Sequence, residues 1–263
     1  MTFGTLREIT KLIGAPYLMM DKIAETCTTG AWKVNADKFN HFMETGVPAF
    51  SVFAKKGNRK LPFVAFSALP EVTCPGAGDC LNWCYSYKAW RYPAAFFRQL
   101  QNTILVIERS EYLTAAFMGI AKDKTVRLYV DGDFDSAQTL EFWMSLCHKR
   151  KDLNVYGYSK SWELFLAYTG KWPTNYIMNV SSGSRYGNVM KKMVLELPIT
   201  RGEFIAVKIK EKKYGPEYIR QTLEAFGGKA MVCPQTCGDC RGNGEHACGS
   251  NQLQGIPILI GVH

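Results

Sequence analysis

Residues 125–162 read TVRLYVDGDFDSAQTLEFWMSLCHKRKDLNVYGYSKSW, and this stretch decides the fold. Residues 125–130 are rich in β-branched and aromatic side chains, the composition of a strand. The polar run DGDFDS ends it. Residues 137–151 then set Leu140, Trp143, Met144 and Cys147 on one face of an amphipathic helix. Residues 154–158, NVYGY, make a second strand that ends in SKSW. Strand, helix and strand at this spacing form a βαβ unit, which implies parallel pairing.

The same rhythm extends outward. Residues 63–69, 176–180, 204–209, 229–232 and 256–262 read as strands. Residues 94–107 read as a helix with Pro93 at its first turn, and residues 216–226 as another. The expected fold is α/β, a partial or full (β/α) barrel. Before it, the first 45 residues are helical in pattern, with Leu6, Ile9, Leu12 and Ile13 on one face and Phe39, Phe42 and Met43 on another. In residues 51–69, two apolar runs flank residues 55–60 with Gly57-Asn58 at the centre, a hairpin signal. The expected division is a helical extension and hairpin over 1–62 and a barrel-like domain over 63–263.

Seven of the nine cysteines fall into two groups. Cys74, Cys80 and Cys84 lie in CPGAGDCLNWCY; Cys233, Cys237 and Cys240 lie in CPQTCGDC, with Cys248 close behind. Thiols crowded in this way call for a metal ion or an iron–sulfur cluster. Three thiolates on a 4Fe–4S cluster leave one iron open, whereas four close a zinc or cluster site. Two arrangements fit: each group holds its own centre, or ligands from both groups are shared. Cys233-x3-Cys237-x2-Cys240 has the spacing of the radical S-adenosylmethionine motif but lies near the C-terminus. The group that follows the first expected strand has a different spacing. His246 reads as a surface loop histidine, and Cys147 as a packing residue on an apolar helix face. Glycines 76, 78, 238, 242, 244 and 249 relax the turns between thiols.

The expected strand ends carry further candidates. Asp131, Asp133 and Asp135 alternate, so a continuing strand would set them on one side. Asp133 reads as a site residue, and Asp135 or Ser136 as the N-cap of the next helix, with Asp135 preferred. Lys160 can bind an anionic group. Residues 181–184, SSGS, can make an anion nest with Arg185 or a plain turn. In α/β folds the C-terminal ends of the strands carry the site, so all of these point to one rim.

The net charge of +9 favours polyanionic partners, nucleic acid first. It is scattered over residues 55–60, 148–151 and 208–213, each of which also suits a solvated loop. Trp83, Tyr85, Tyr87, Trp90 and Tyr92 interleave with Lys88 and Arg91, a mixture that suits stacking on single-stranded bases, or, as preferred for Trp83 and Tyr85, packing over the cluster to exclude water. No apolar run reaches the ~20 residues of a membrane span, and the charged N-terminal region lacks a signal-peptide pattern. The expectation is a cytoplasmic protein without a membrane partner, its thiols reduced.

Three segments carry a family resemblance. LPEVTCPGAGDCLNWCYSYKAWRYP (69–93), RLYVDGDFDSAQTLEFWMSL (127–146) with NVYGYSKSW (154–162), and CPQTCGDCRGN (233–243) resemble, in order, the gene product 88 domain family of phages and plasmids. The resemblance covers about residues 60–250. It implies a mobile-element origin in bacteria and a layout like a degenerate radical S-adenosylmethionine barrel, in which Asp133 of Gly132-Asp133-Phe134 would meet the cofactor's amino group. The leading expectation is an iron–sulfur protein with a reactive cluster on Cys74, Cys80 and Cys84, with Asp133 and Lys160 facing a ligand pocket. An auxiliary cluster or zinc would sit on the second group, and S-adenosylmethionine is a candidate cofactor. The competing expectation is a non-enzymatic nucleic-acid-binding protein braced by zinc or a cluster. A weaker third is a nuclease holding magnesium on the three aspartates.

Overall fold

A computed structural model describes residues 1–54, 61–238, 240 and 246–262. Seven strands form one parallel sheet: β1 (Val64–Ala65), β2 (Thr125–Leu128), β3 (Asn154–Ser159), β4 (Tyr176–Ser181), β5 (Thr200–Lys208), β6 (Met231–Val232) and β7 (Ile258–Val262). Their order is β1-β2-β3-β4-β5-β7-β6. The sheet curls but does not close: β1 and β6 are its two edges. The barrel expected as partial or full is therefore a half-barrel.

Nine helices accompany it among the described residues: α1 (Phe3–Lys11), α2 (Pro16–Thr26), α3 (Gly30–Thr45), α4 (Pro93–Ile107), α5 (Glu111–Met118), α6 (Ala137–Lys149), α7 (Trp162–Ala167), α8 (Asn188–Leu195) and α9 (Pro216–Phe226). The starts follow from capping chemistry. The Thr2 hydroxyl accepts from the Thr5 N–H ahead of α1, and the Ser136 hydroxyl accepts from the Thr139 N–H ahead of α6. The cap of α6 is thus Ser136 rather than Asp135. Pro93 and Pro216 open α4 and α9, and Gly227 closes α9 in the left-handed region at φ 73°.

Period-2 alternation sorts the side chains between the two faces of the sheet. Val126, Leu128, Val155, Met178 and Val180 face the helices and join the main core with Trp143, Met144 and Phe165. Trp143 sits among Phe53, Phe66, Phe117 and Tyr129 at ring distances of 5.1–6.3 Å. Leu6, Ile9 and Phe39 of the N-terminal helices belong to the same core, with Phe39 5.6 Å from Phe97 of α4. The expected hairpin appears as an antiparallel bridge between Ala54 and Ala65, while its turn at 55–60 lies outside the described residues.

The other face of the sheet is concave, and a loop occupies it. Tyr156, Tyr158, Ile177 and Phe204 point there and meet Cys233, Cys240, Ala247, Cys248 and Leu253. Strand β7 inserts between β5 and β6, so the chain leaving β6 must return across the sheet to begin β7. It does so along the inside. Asn179 of β4 donates to the Cys248 carbonyl at 2.8 Å, and Asn154 of β3 donates to that of Gly249 at 3.0 Å. Arg201 donates to Leu253 and Ile256 carbonyls at 3.0 and 2.9 Å. These bonds satisfy loop carbonyls that burial would otherwise strand.

Candidate metal centre

The first cysteine group sits at the C-terminal rim, and the strand ends build it a cradle. The Gly183 carbonyl after β4 accepts from the Gly78 and Cys80 N–H groups at 3.0 and 3.2 Å. The Ser184 hydroxyl donates to the carbonyls of Gly76 and Lys160 at 3.1 and 3.0 Å. An added Cβ on Gly76 would stand 1.9 Å from the Lys160 carbonyl oxygen, so the loop lies directly against the end of β3. Residues 181–184 are neither a free anion nest nor a plain turn. The Gly183 carbonyl and the Ser184 hydroxyl hold the cysteine loop, while the Ser182 hydroxyl accepts from the Ala206 N–H of β5.

Asp133 joins the ends of β2 and β3. Its carboxylate accepts from Lys160 N–H at 2.7 Å, Ser161 N–H at 3.2 Å and Phe134 N–H at 2.8 Å. Burial raises its pKa, and these N–H groups with the Lys160 charge work against the rise. Lys160 turns its ammonium to the Ser181 hydroxyl at 2.9 Å. Asp131 points elsewhere, accepting from Gln99 at 3.0 Å. The strand stops at Leu128 and Tyr129 takes a left-handed φ of 53°, so the three aspartates do not share one side as alternation predicts. Asp135 Oδ1 is buried without a hydrogen-bond partner.

The second cysteine group lies inside the half-barrel, a departure from the single-rim expectation that follows from the inward β6–β7 connection. Both groups nevertheless face one cavity of about 460 Å³. Cys74, Cys80, Cys84, Cys233, Cys237, Cys240 and Cys248 all line it, with Asp133, Lys160, Ser181, Arg127, Tyr156 and Tyr158 between them. All seven thiols are free of disulfides. The strongest thiol–thiol interactions run within each group: Cys84 acts on Cys74 and Cys80, while Cys240 acts on Cys233, Cys237 and Cys248. Burial raises the Cys74, Cys80 and Cys237 thiols, pushes Cys233 up to about 11 and pushes Cys248 up to about 12. Thiols so placed stay protonated unless a cation draws them into the thiolate form. By chemistry the donor set fits zinc or an iron–sulfur cluster. Among the described residues, no three His, Cys, Asp or Glu side chains stand ready to hold an ion, so ligation requires the thiols to reorient.

His246 is not the surface residue its loop suggests. Its ring lies 4.4 Å from Phe63 and 4.9 Å from Tyr156, and its Nδ1 accepts from the Gly249 N–H at 3.1 Å. Burial lowers its pKa to about 4. The expected aromatic stripe divides in two. Trp90 is buried and Tyr87 donates to Glu71 at 3.0 Å, whereas Trp83, Tyr85 and Tyr92 are exposed. Cys147 is buried in the core, as its helix face predicts.

Sequence reasoning missed Arg127, and it gave Gly183 and Ser184 a different part, an anion nest or turn. Arg127 had a readable signal: a lone charge between Val126 and Leu128, on the face opposite to both. No long apolar helix suited to crossing a membrane occurs among the described residues. No curated protein and no solved structure matches the chain. The model of one family, described as gene product 88, matches residues 35–253. That span includes both cysteine groups and all seven strands but β7, and it begins 34 residues before the first of the segments that resemble the family, at residue 69. This chain belongs to the gene product 88 family.

Proposed function

We propose that the protein is an iron–sulfur protein of a phage or plasmid, with a reactive 4Fe–4S cluster on Cys74, Cys80 and Cys84. Cys233, Cys237, Cys240 and Cys248 hold an auxiliary cluster or zinc. One observation carries the reading: seven disulfide-free cysteines in two groups line the same cavity. A cluster held by three thiolates supplies an iron open to a small molecule.

The chain's own residues would do the rest. Lys160, an electrostatic neighbour of Cys74 and Cys80, favours their thiolate forms. Asp133 holds the Lys160 backbone in place and, with Lys160, borders the ligand space. Tyr156, Tyr158 and Phe204 limit water around the thiols. The half-barrel and the acidic end of β2 support a distant likeness to radical S-adenosylmethionine enzymes, which makes S-adenosylmethionine the first ligand to titrate. The alternative, a nucleic-acid-binding protein with a structural site, loses support because the aromatic stripe is split between core and surface.

The test is metal and sulfide analysis of anaerobically purified protein, with its absorption spectrum. The expected result is bound iron and a brown colour with absorbance near ~400 nm. Colourless protein carrying only zinc would replace the cluster by a structural ion. Protein with neither metal would sink the reading.

A further inference from the structure

Arg127 projects from β2 into the cavity, and among the described residues no carboxylate forms an ion pair with it. Its Nε is buried and makes no hydrogen bond, and it takes part in none of the ion pairs among the described residues. The carboxylates nearby are engaged. Asp131 feels the Arg127 charge from beyond ion-pair distance but is held by Gln99, Glu71 is held by Arg7 at 2.9 Å, and Asp133 by backbone N–H groups. The Arg127 guanidinium carbon lies 4.5 Å from the centroid of the Tyr158 ring. Stacking of that kind leaves the edge of the fork, with its N–H groups, free for a partner. Its surroundings are Tyr85, Tyr156, Tyr158 and Cys237.

A guanidinium stays protonated at any ordinary pH. Arg127 is half-buried with its Nε fully covered, so its fork faces the cavity and offers charge-assisted hydrogen bonds to an anion that enters there. The space is about 460 Å³, within the ~300–1,000 Å³ of small-molecule sites. Tyr156, Tyr158, Phe204, Trp83 and Ile260 supply flat apolar walls.

We propose that this cavity binds a small organic anion, with a carboxylate or phosphate on the fork of Arg127 and a flat body against the aromatic walls. The inference goes beyond the metal reading and does not depend on it.

The test uses full-length protein, as wild type, Arg127→Met and Arg127→Lys. The probes are adenosine monophosphate, adenosine and inorganic phosphate, followed by calorimetric titration and by thermal melting in an anion-poor buffer. Adenosine monophosphate is expected to bind wild type at least about tenfold more tightly than adenosine does. Arg127→Met should lose that tenfold and leave adenosine unchanged, and Arg127→Lys should fall between. Without the probes, Arg127→Met should melt at or above wild type, because it removes a buried charge. Adenosine monophosphate or phosphate should raise the melting temperature of wild type more than that of Arg127→Lys, and that of Arg127→Lys more than that of Arg127→Met.

The proposal is overturned if neither phosphate-bearing probe binds, or if each acts equally on wild type and Arg127→Met. It is also overturned if Arg127→Met sheds bound iron or zinc while binding the probes unchanged, which would make Arg127 the counter-charge of the thiolates. Metal content is measured on the same samples. Metal-free protein that still binds adenosine monophosphate through Arg127 would sink the cluster and leave this site standing.

Discussion

A methyl group on Gly76 would collide with the carbonyl of Lys160, and backbone meets backbone there, so no side chain can swing away. Gly76→Ala should therefore lift the first cysteine loop from the rim. The expected cost is about 3 kcal/mol. Chemical denaturation would measure it, and metal bound through Cys74, Cys80 and Cys84 should fall with it. Gly183→Ala adds a left-handed φ of 78° to a clash with Cys80 at 2.9 Å, and should act in the same direction. If either variant keeps both its stability and its metal content, the cradle is not what holds the loop. At this scale the cysteines, Asp133 and Lys160 were legible from residue type and spacing. Arg127 was not singled out, and Gly183 and Ser184 were read as an anion nest or turn, because their roles depend on what the neighbouring strand ends bring to them.

Two elements depend on single buried guanidinium groups. Arg150, at the end of α6, donates to the carbonyls of Phe117, Met118 and Ile120 and pairs with Asp152 at 2.6 Å. It thereby caps the end of α5 from outside. Arg150→Met should cost about 3 kcal/mol in urea denaturation, since it leaves three carbonyls unanswered. The Arg150 guanidinium holds the Asp152 carboxyl below its ordinary range. A depressed carboxyl contributes stability that is present above its unfolded value, about 3.9, and is lost as the pH falls through the folded one. The stability difference between wild type and Asp152→Asn should therefore shrink from pH 7 to pH 3; a constant difference would refute the pairing.

Arg201 plays the corresponding part inside the half-barrel. It holds the Leu253 and Ile256 carbonyls and donates to Asn179 at 2.6 Å, while Asn179 holds Cys248. Arg201→Met should release the second cysteine group and leave the first in place. Alkylation of the metal-free protein, mapped by mass spectrometry, would show faster labelling of Cys233, Cys240 and Cys248 than of Cys74 and Cys80. Equal acceleration in both groups would count against separate anchoring. Strand and helix order was readable at this scale, because apolar periodicity is local. Strand β5 begins at Thr200, ahead of the residue-204 start read from pattern, because Arg201 and Gly202 are pulled into the sheet by β4 and the inward loop.

Across the whole molecule, the N-terminal helices complete the core rather than decorate it. Phe39 and Trp32 lie 5.6–6.2 Å from Phe96 and Phe97 of α4, the helix that follows the first cysteine group. Deletion of residues 1–45 should uncover these rings, and calorimetry should then show loss of the cooperative melting transition. A truncated chain that melts as sharply as the full one would mark 1–62 as a separable unit.

By itself, the sequence determined the parallel α/β class, the approximate strands and helices, the family, and the residue types available for metal chemistry. Each of these is written in local periodicity or in short motifs. Only the tertiary structure decided that the sheet stays open, that β7 enters between β5 and β6, and that the intervening loop turns inward. Those choices rest on packing between residues 50 to 100 positions apart, such as Asn154 with Gly249 and Asn179 with Cys248. Such contacts leave no periodic trace in the chain. They are nevertheless what carries two distant cysteine groups and Arg127 to the walls of one cavity.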